Sequence, residues 1–304
     1  MGKWLICCCF WDYCCPKKVG EYTEGLKKLS RFLAVLAVLT VALVAVPAYA
    51  AHSWGNYHWA RTANPFTLML ADAVTPAWDP YLVEARNDWN ASTVLDTVIV
   101  SSSANPKTCR AVAGRMEVCS AKYGNNGWLG LASIWADSNG HITKGTAKMN
   151  DTYFNNATYN TPAWRRLVMC QEVAHVFGLA HQDEGFTAPN LGSCMDYTND
   201  PDGGGVYGPS NEHPNAHDFA QLEALYGHTD SYTTLSAVVA QVTGLTRRMV
   251  YVDEDDEGLG QEVGQDSRGR PNRYVRSYAN GTTKITHVFW LPGLEEEHEH
   301  EHEH

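Results

Sequence analysis

Apolar positions along this chain follow two periods, and the switch between them marks out the elements. Residues 66–74 form a short apolar run and read as a buried strand, and residues 94–101, rich in β-branched side chains, as a second. Between them, residues 80–89 carry Leu82, Val83, Ala85 and Trp89 as the inward face of a helix. Residues 109–119 fit a connecting excursion or hairpin. Residues 128–136 and 142–149 read as two strands joined around Asn139-Gly140, a strong turn signal. The Asn-rich stretch 150–160 is a loop. Thr161 suits a helix N-cap and Pro162 the first helical position, so a helix should run to about Phe177 and stop at Gly178. Residues 183–214 are irregular, and a last helix opens at Pro214 or Asn215, carries Phe219, Leu222 and Leu225 on one face, and ends at Gly227. The pattern describes an α+β (α/β-like) domain over residues 51–230. Residues 231–270 read as an acidic, Gly-containing linker, residues 271–293 as a β-hairpin turning at Asn280-Gly281, and residues 294–304 as a Glu/His tail.

The first fifty residues stand apart. Lys27, Lys28 and Arg31 precede an apolar run over 33–46, and Ala48-Tyr49-Ala50 is the small-x-small pattern of a signal-peptidase site. Cleavage after Ala50 is expected, giving a secreted chain with no stable membrane insertion. The five cysteines of residues 1–15 do not fit a signal peptide. Two readings cover them: a start codon placed too early, or a palmitoylated cluster.

Removing residues 1–50 leaves 17 basic against 31 acidic residues, a net −14, and six of the acids sit in the final ten positions. That balance argues against a nucleic-acid or anionic-membrane partner. Four cysteines remain, Cys109, Cys119, Cys170 and Cys194, which in an exported chain imply two disulfides with three connectivities open. Cys109–Cys119, closing a short loop around Gly114, is the favoured first pair.

The chemistry concentrates in Gln171-Glu172-Val173-Ala174-His175-Val176-Phe177-Gly178-Leu179-Ala180-His181. Residues four apart on a helix share a face, so Gln171 and His175 can address one ion. Glu172 lies beside them, placed to take a proton from water rather than to bind metal. Gly178 lets the chain leave the helix sharply and bring His181 back. Three protein ligands with a fourth position open to water is the arrangement of catalytic zinc.

This stretch, followed by Met195, resembles the zinc signature of the metzincin metalloproteases, most closely the secreted bacterial matrixin-like group, over roughly residues 57–228. The resemblance implies a twisted mixed sheet with an active-site helix, a Met-turn and a C-terminal helix. It implies His175 and His181 as zinc ligands, Glu172 as general base, Gly178 as the turn glycine and Cys194-Met195-Asp196-Tyr197 as the Met-turn. Met195 would underlie the metal, and Tyr197 would steady the oxyanion. Because a Met-turn packs beneath the active-site helix, the resemblance also implies a Cys170–Cys194 disulfide. It makes residues 130–135 an edge strand able to pair with an extended substrate, a reading that stands beside that of an ordinary core strand. The departure is Gln171, where the pattern has a first His (QExxHxxGxxH here). An amide oxygen is a harder, weaker zinc donor than an imidazole nitrogen.

The expected function is therefore a secreted, monomeric, zinc-dependent endopeptidase acting on protein or peptide substrates. The alternative is a non-catalytic metzincin-fold binding module. Between Ala50 and the first strand there is no cysteine-bearing latency segment. Asp196, Asp200 and Asp202, beside Gly203–Gly205, offer a weaker calcium-binding reading.

Overall fold

The computed structural model describes residues 52–237 and 258–292. The expected signal peptide and N-terminal cysteines, most of the acidic stretch and the Glu/His tail lie outside them. Nine strands, β1 His58–Trp59, β2 Phe66–Ala73, β3 Leu95–Ser101, β4 Met116–Ala121, β5 Trp128–Ala136, β6 His141–Asn150, β7 Gln261–Gln265, β8 Pro271–Ser277 and β9 Thr283–Trp290, make one mixed sheet. The helices are α1 Asp79–Trp89, a single turn α2 Asp151–Phe154, α3 Pro162–Val176 and α4 Ala216–Leu225. The strand order is β3-β2-β4-β6-β5-β9-β8-β7, with β1 parallel to β6 off this path. β3, β2, β4 and β6 run parallel; β5 is antiparallel to β6, and β9, β8 and β7 continue antiparallel. The fold is α+β.

The helices cover one face, burying Trp59, Trp78, Trp89, Phe177 and Tyr226 in a common core with Ile285 and Phe289 of β9. A smaller cluster, Trp128, Leu131, Tyr274 and Val288, covers the opposite face of β5 and β9. Along α1, Leu82, Ala85 and Trp89 are buried, but Val83 is 42% exposed. It stands off the i, i+3, i+7 stripe that the other three share.

α3 begins where its punctuation puts it: the Thr161 side chain accepts from Trp164 N–H at 3.3 Å, and Pro162 occupies the first turn. It ends because Gly178 takes φ +97°, where a Cβ would also lie 2.3 Å from the Tyr57 carbonyl oxygen. Gly178→Ala combines a positive φ with that backbone clash and is expected to cost more than about 1 kcal/mol, read as a lowered midpoint in denaturant melts. α4 carries a capping box between Asn215 and Asp218.

Both expected disulfides are present, Cys109–Cys119 and Cys170–Cys194. Residues 109–119 are not a hairpin; a loop there leads into β4, which pairs in parallel with β2 and β6. The C-terminal hairpin is present as β8–β9, with β7 added to it from within the stretch read as linker. β5 is not an edge strand. Its outer flank is taken by β9, with Leu131 opposite Val288, Ala132 opposite His287 and Gly130 opposite Phe289.

Candidate metal centre

α3 carries Gln171, Glu172 and His175 on its buried side, and the Gly178 turn returns His181 to them. The His175 Nδ1 lies 2.8 Å from the Leu179 carbonyl oxygen. A carbonyl can only accept, so the proton sits on Nδ1 and Nε2 keeps its lone pair. His181 is fixed in the same sense, its Nδ1 lying 3.0 Å from Glu184 Oε2. Burial would raise the Glu184 carboxyl, but His181 and the Asn272 side chain hold it below its ordinary value. The two Nε2 atoms are 3.2 Å apart. A proton or a metal ion must lie between two ring nitrogens at that distance, and ligands about 2.0–2.1 Å from a tetrahedral zinc stand roughly 3.3 Å from one another.

The third imidazole comes from a place the motif does not reach. His287 of β9 lies with His175 and His181 in one group whose ligand atoms are all within 4.8 Å of one another. Its ring stacks on His175 at 4.1 Å between centroids and meets His181 edge-on at 4.0 Å. Burial, then the neighbouring rings, push the His175 and His287 pKa values well down, so both are neutral, the form a metal requires. The sequence did hold a signal for it. In Ile285-Thr286-His287-Val288-Phe289 the alternation places an imidazole between two core residues on one strand face.

Gln171 is fully buried and donates its amide nitrogen to the Cys194 and Asp196 carbonyls at 2.7 and 3.0 Å. Its Oε1 has no protein partner, an orphaned buried acceptor of the kind that a metal satisfies. The residues present thus fit a zinc ion. Glu172 is also fully buried, with neither carboxylate oxygen paired, and burial raises its pKa well above the ordinary range. It fits beneath β5 only because residue 130 is glycine: a Cβ there would stand 2.3 Å from Glu172 Oε1. Met195 is buried in the main core. The Tyr197 ring stacks on His181 at 4.6 Å, and its hydroxyl accepts from Trp290 N–H of β9 at 3.3 Å.

No family model matches this chain, and no curated protein matches it significantly. Among solved structures, high choriolytic enzyme 1, a hatching enzyme zinc-protease from Oryzias latipes (medaka fish), matches at 12% identity. The match covers 57% of this chain and 96% of that one, at a TM-score of 0.32. A likeness that distant carries no argument about activity.

The three aspartates read for calcium do not assemble. Asp196 accepts from Leu191 N–H and Asp200 from the Asn190 side chain, and neither they nor Asp202 enter any of the three potential ligand groups among the described residues. No described helix is long and apolar enough to cross a membrane.

Proposed function

We propose that this chain is a zinc-dependent endopeptidase of the metzincin type whose own C-terminal strand holds the substrate position. The observation that carries the zinc reading is the pair of facing Nε2 atoms on His175 and His181, each ring fixed by a partner on Nδ1. Gln171 Oε1 would complete the set from α3. Zinc bound there would supply a Lewis acid for water and for the scissile carbonyl.

The roles of the remaining residues follow from what β9 does to them. β9 lies antiparallel along β5, as an extended peptide adding to a sheet would. Its His287 reaches the ligand pair, its Phe289 lies opposite Gly130 above Glu172, and its Trp290 N–H occupies the Tyr197 hydroxyl. Each group assigned to catalysis is covered by the same strand. With β9 displaced, Glu172 regains water, its carboxyl falls toward the ordinary range and it can accept a proton. The Tyr197 hydroxyl is then free to donate to a developing oxyanion.

A second reading keeps the same ligands but makes β9 permanent, so that the protein is a non-catalytic extracellular module with a closed metal centre. It is favoured by the complete burial of Glu172 and by Ile285 and Phe289 belonging to the main core. The monomeric state and protein substrate belong to the first reading, and the secreted location to both. Metal analysis of the purified full chain tests what the two share. His175→Ala is expected to remove one equivalent of zinc, and an unchanged zinc content would eliminate both.

A further inference from the structure

The register of β1 on β6 sets His58 beside His141. The segment leaving α4 returns to this place and is held there by Arg61. Asp230 N–H donates to the Arg61 carbonyl at 2.8 Å, and Arg61 N–H donates back to Asp230 Oδ2 at 3.1 Å. The Arg61 guanidinium, in a residue only 1% exposed, adds Nη1 to the same Oδ2 at 2.9 Å and Nη2 to the His228 carbonyl. With Oδ2 engaged by Arg61, Oδ1 faces three imidazoles. His141 Nε2 lies 3.4 Å from it, His58 Nε2 3.5 Å and His228 Nε2 3.6 Å, while the His58 and His228 Nε2 atoms are 3.2 Å apart.

The protons on two of these rings are fixed elsewhere. His58 Nδ1 stands 2.6 Å from the Asn56 carbonyl oxygen and so must carry the hydrogen. His141 Nδ1 bonds the Tyr232 hydroxyl, which itself donates to Asp137 Oδ2 at 3.0 Å; the ring therefore donates to the phenol oxygen. On the neutral rings both Nε2 atoms present lone pairs toward a carboxylate oxygen. A hydrogen bond from His228 to His58 would satisfy only that one contact. The distances to Oδ1 exceed those of charge-assisted N–H···O bonds, roughly 2.7–2.9 Å. With the 3.2 Å His58–His228 separation, the His58 and His228 contacts fall near the donor–donor edge of a tetrahedron with a metal at its centre, roughly 3.3–3.4 Å for zinc, and these residues form one group within 4.8 Å that His141 does not join. Ring nitrogens whose second nitrogen is anchored to a carbonyl, or to a carboxylate through a hydroxyl, are the usual dress of metal-binding histidines.

We propose that His58, His228 and Asp230 form a second metal site, taking a divalent ion of the zinc type through two imidazole nitrogens and one carboxylate oxygen. The ion ties the entering strand β1, through His58, to the chain leaving α4, through His228 and Asp230. The half-exposed His228 side chain gives the ion its way in.

The test is zinc content and cobalt substitution in the full chain, after dialysis against citrate to strip ions held by the Glu/His tail. The full chain is expected to retain two equivalents of zinc. His228→Ala, at an exposed position the fold tolerates, should retain one. Cobalt-loaded His175→Ala should keep the visible bands of a four-coordinate ion, and adding His228→Ala should abolish them. One equivalent in the full chain, lost with His175→Ala and kept with His228→Ala, would overturn the proposal while leaving the His175–His181 centre standing.

Discussion

In the full chain, His287→Ala is expected to raise hydrolysis of an unstructured peptide by roughly 30-fold. The substitution removes one buried ring from between Ile285 and Phe289 and deletes the contact of β9 with His175 and His181. The lost packing is worth about 2 kcal/mol or more against β9 closure, and each 1.4 kcal/mol changes the open population tenfold. The His175–His181 pair and Gln171 lie on other elements and remain. A quenched fluorescent peptide measures the rate, and metal analysis of the same sample shows whether zinc is kept. Zinc retained with no gain in hydrolysis would favour the closed, non-catalytic reading. Loss of zinc would instead show that His287 is needed to hold the ion.

Glu172→Gln placed in the His287→Ala background should reduce the released activity by 10²–10⁴-fold, the usual contribution of a positioned general base. Glutamine has nearly the same shape, so the pocket beneath Gly130 stays filled. Folding should be unharmed, because the buried carboxyl it replaces has no hydrogen-bond partner to lose. Zinc content should not change, since Glu172 is not among the grouped ligands. Activity surviving this change would remove Glu172 from the mechanism.

The elements legible in the sequence are those whose ends are written locally. Thr161-Pro162 and Gly178 bound α3, and Asn139-Gly140 joins β5 to β6 as read. Within α3 the 3.6-residue period was enough to place Gln171, Glu172 and His175 on one buried surface. The outward turn of Val83 was missed because a run of apolar residues does not say which of its members lies off the stripe. The Cys170–Cys194 bond came through the family resemblance, as nothing in the spacing of those cysteines required it.

What escaped is non-local. Nothing between residues 128 and 136 says that the free flank of β5 will be filled by a strand from beyond residue 280. Pairing of this kind is decided by whichever edge remains when the rest of the sheet has formed. His287 was invisible for the same reason, since its role depends on a register. Opposite Ala132 it enters the site; shifted by one residue, the alternation would turn it to the other face. The His58–His228–Asp230 group likewise exists only once the chain has left α4 and returned to β1.

The position of β9 has a consequence in time. A chain is made from its N-terminus, and domains begin to fold while synthesis proceeds. α3, the Gly178 turn and the Met195 turn are all complete before β9 has been made, and long-range strand pairing is among the slower events in folding. A molecule in which α3 and its turns have formed before β9 reaches β5 holds His175, His181 and Glu172 uncovered, and on the proposed reading the time β9 takes to find β5 is the length of that exposure.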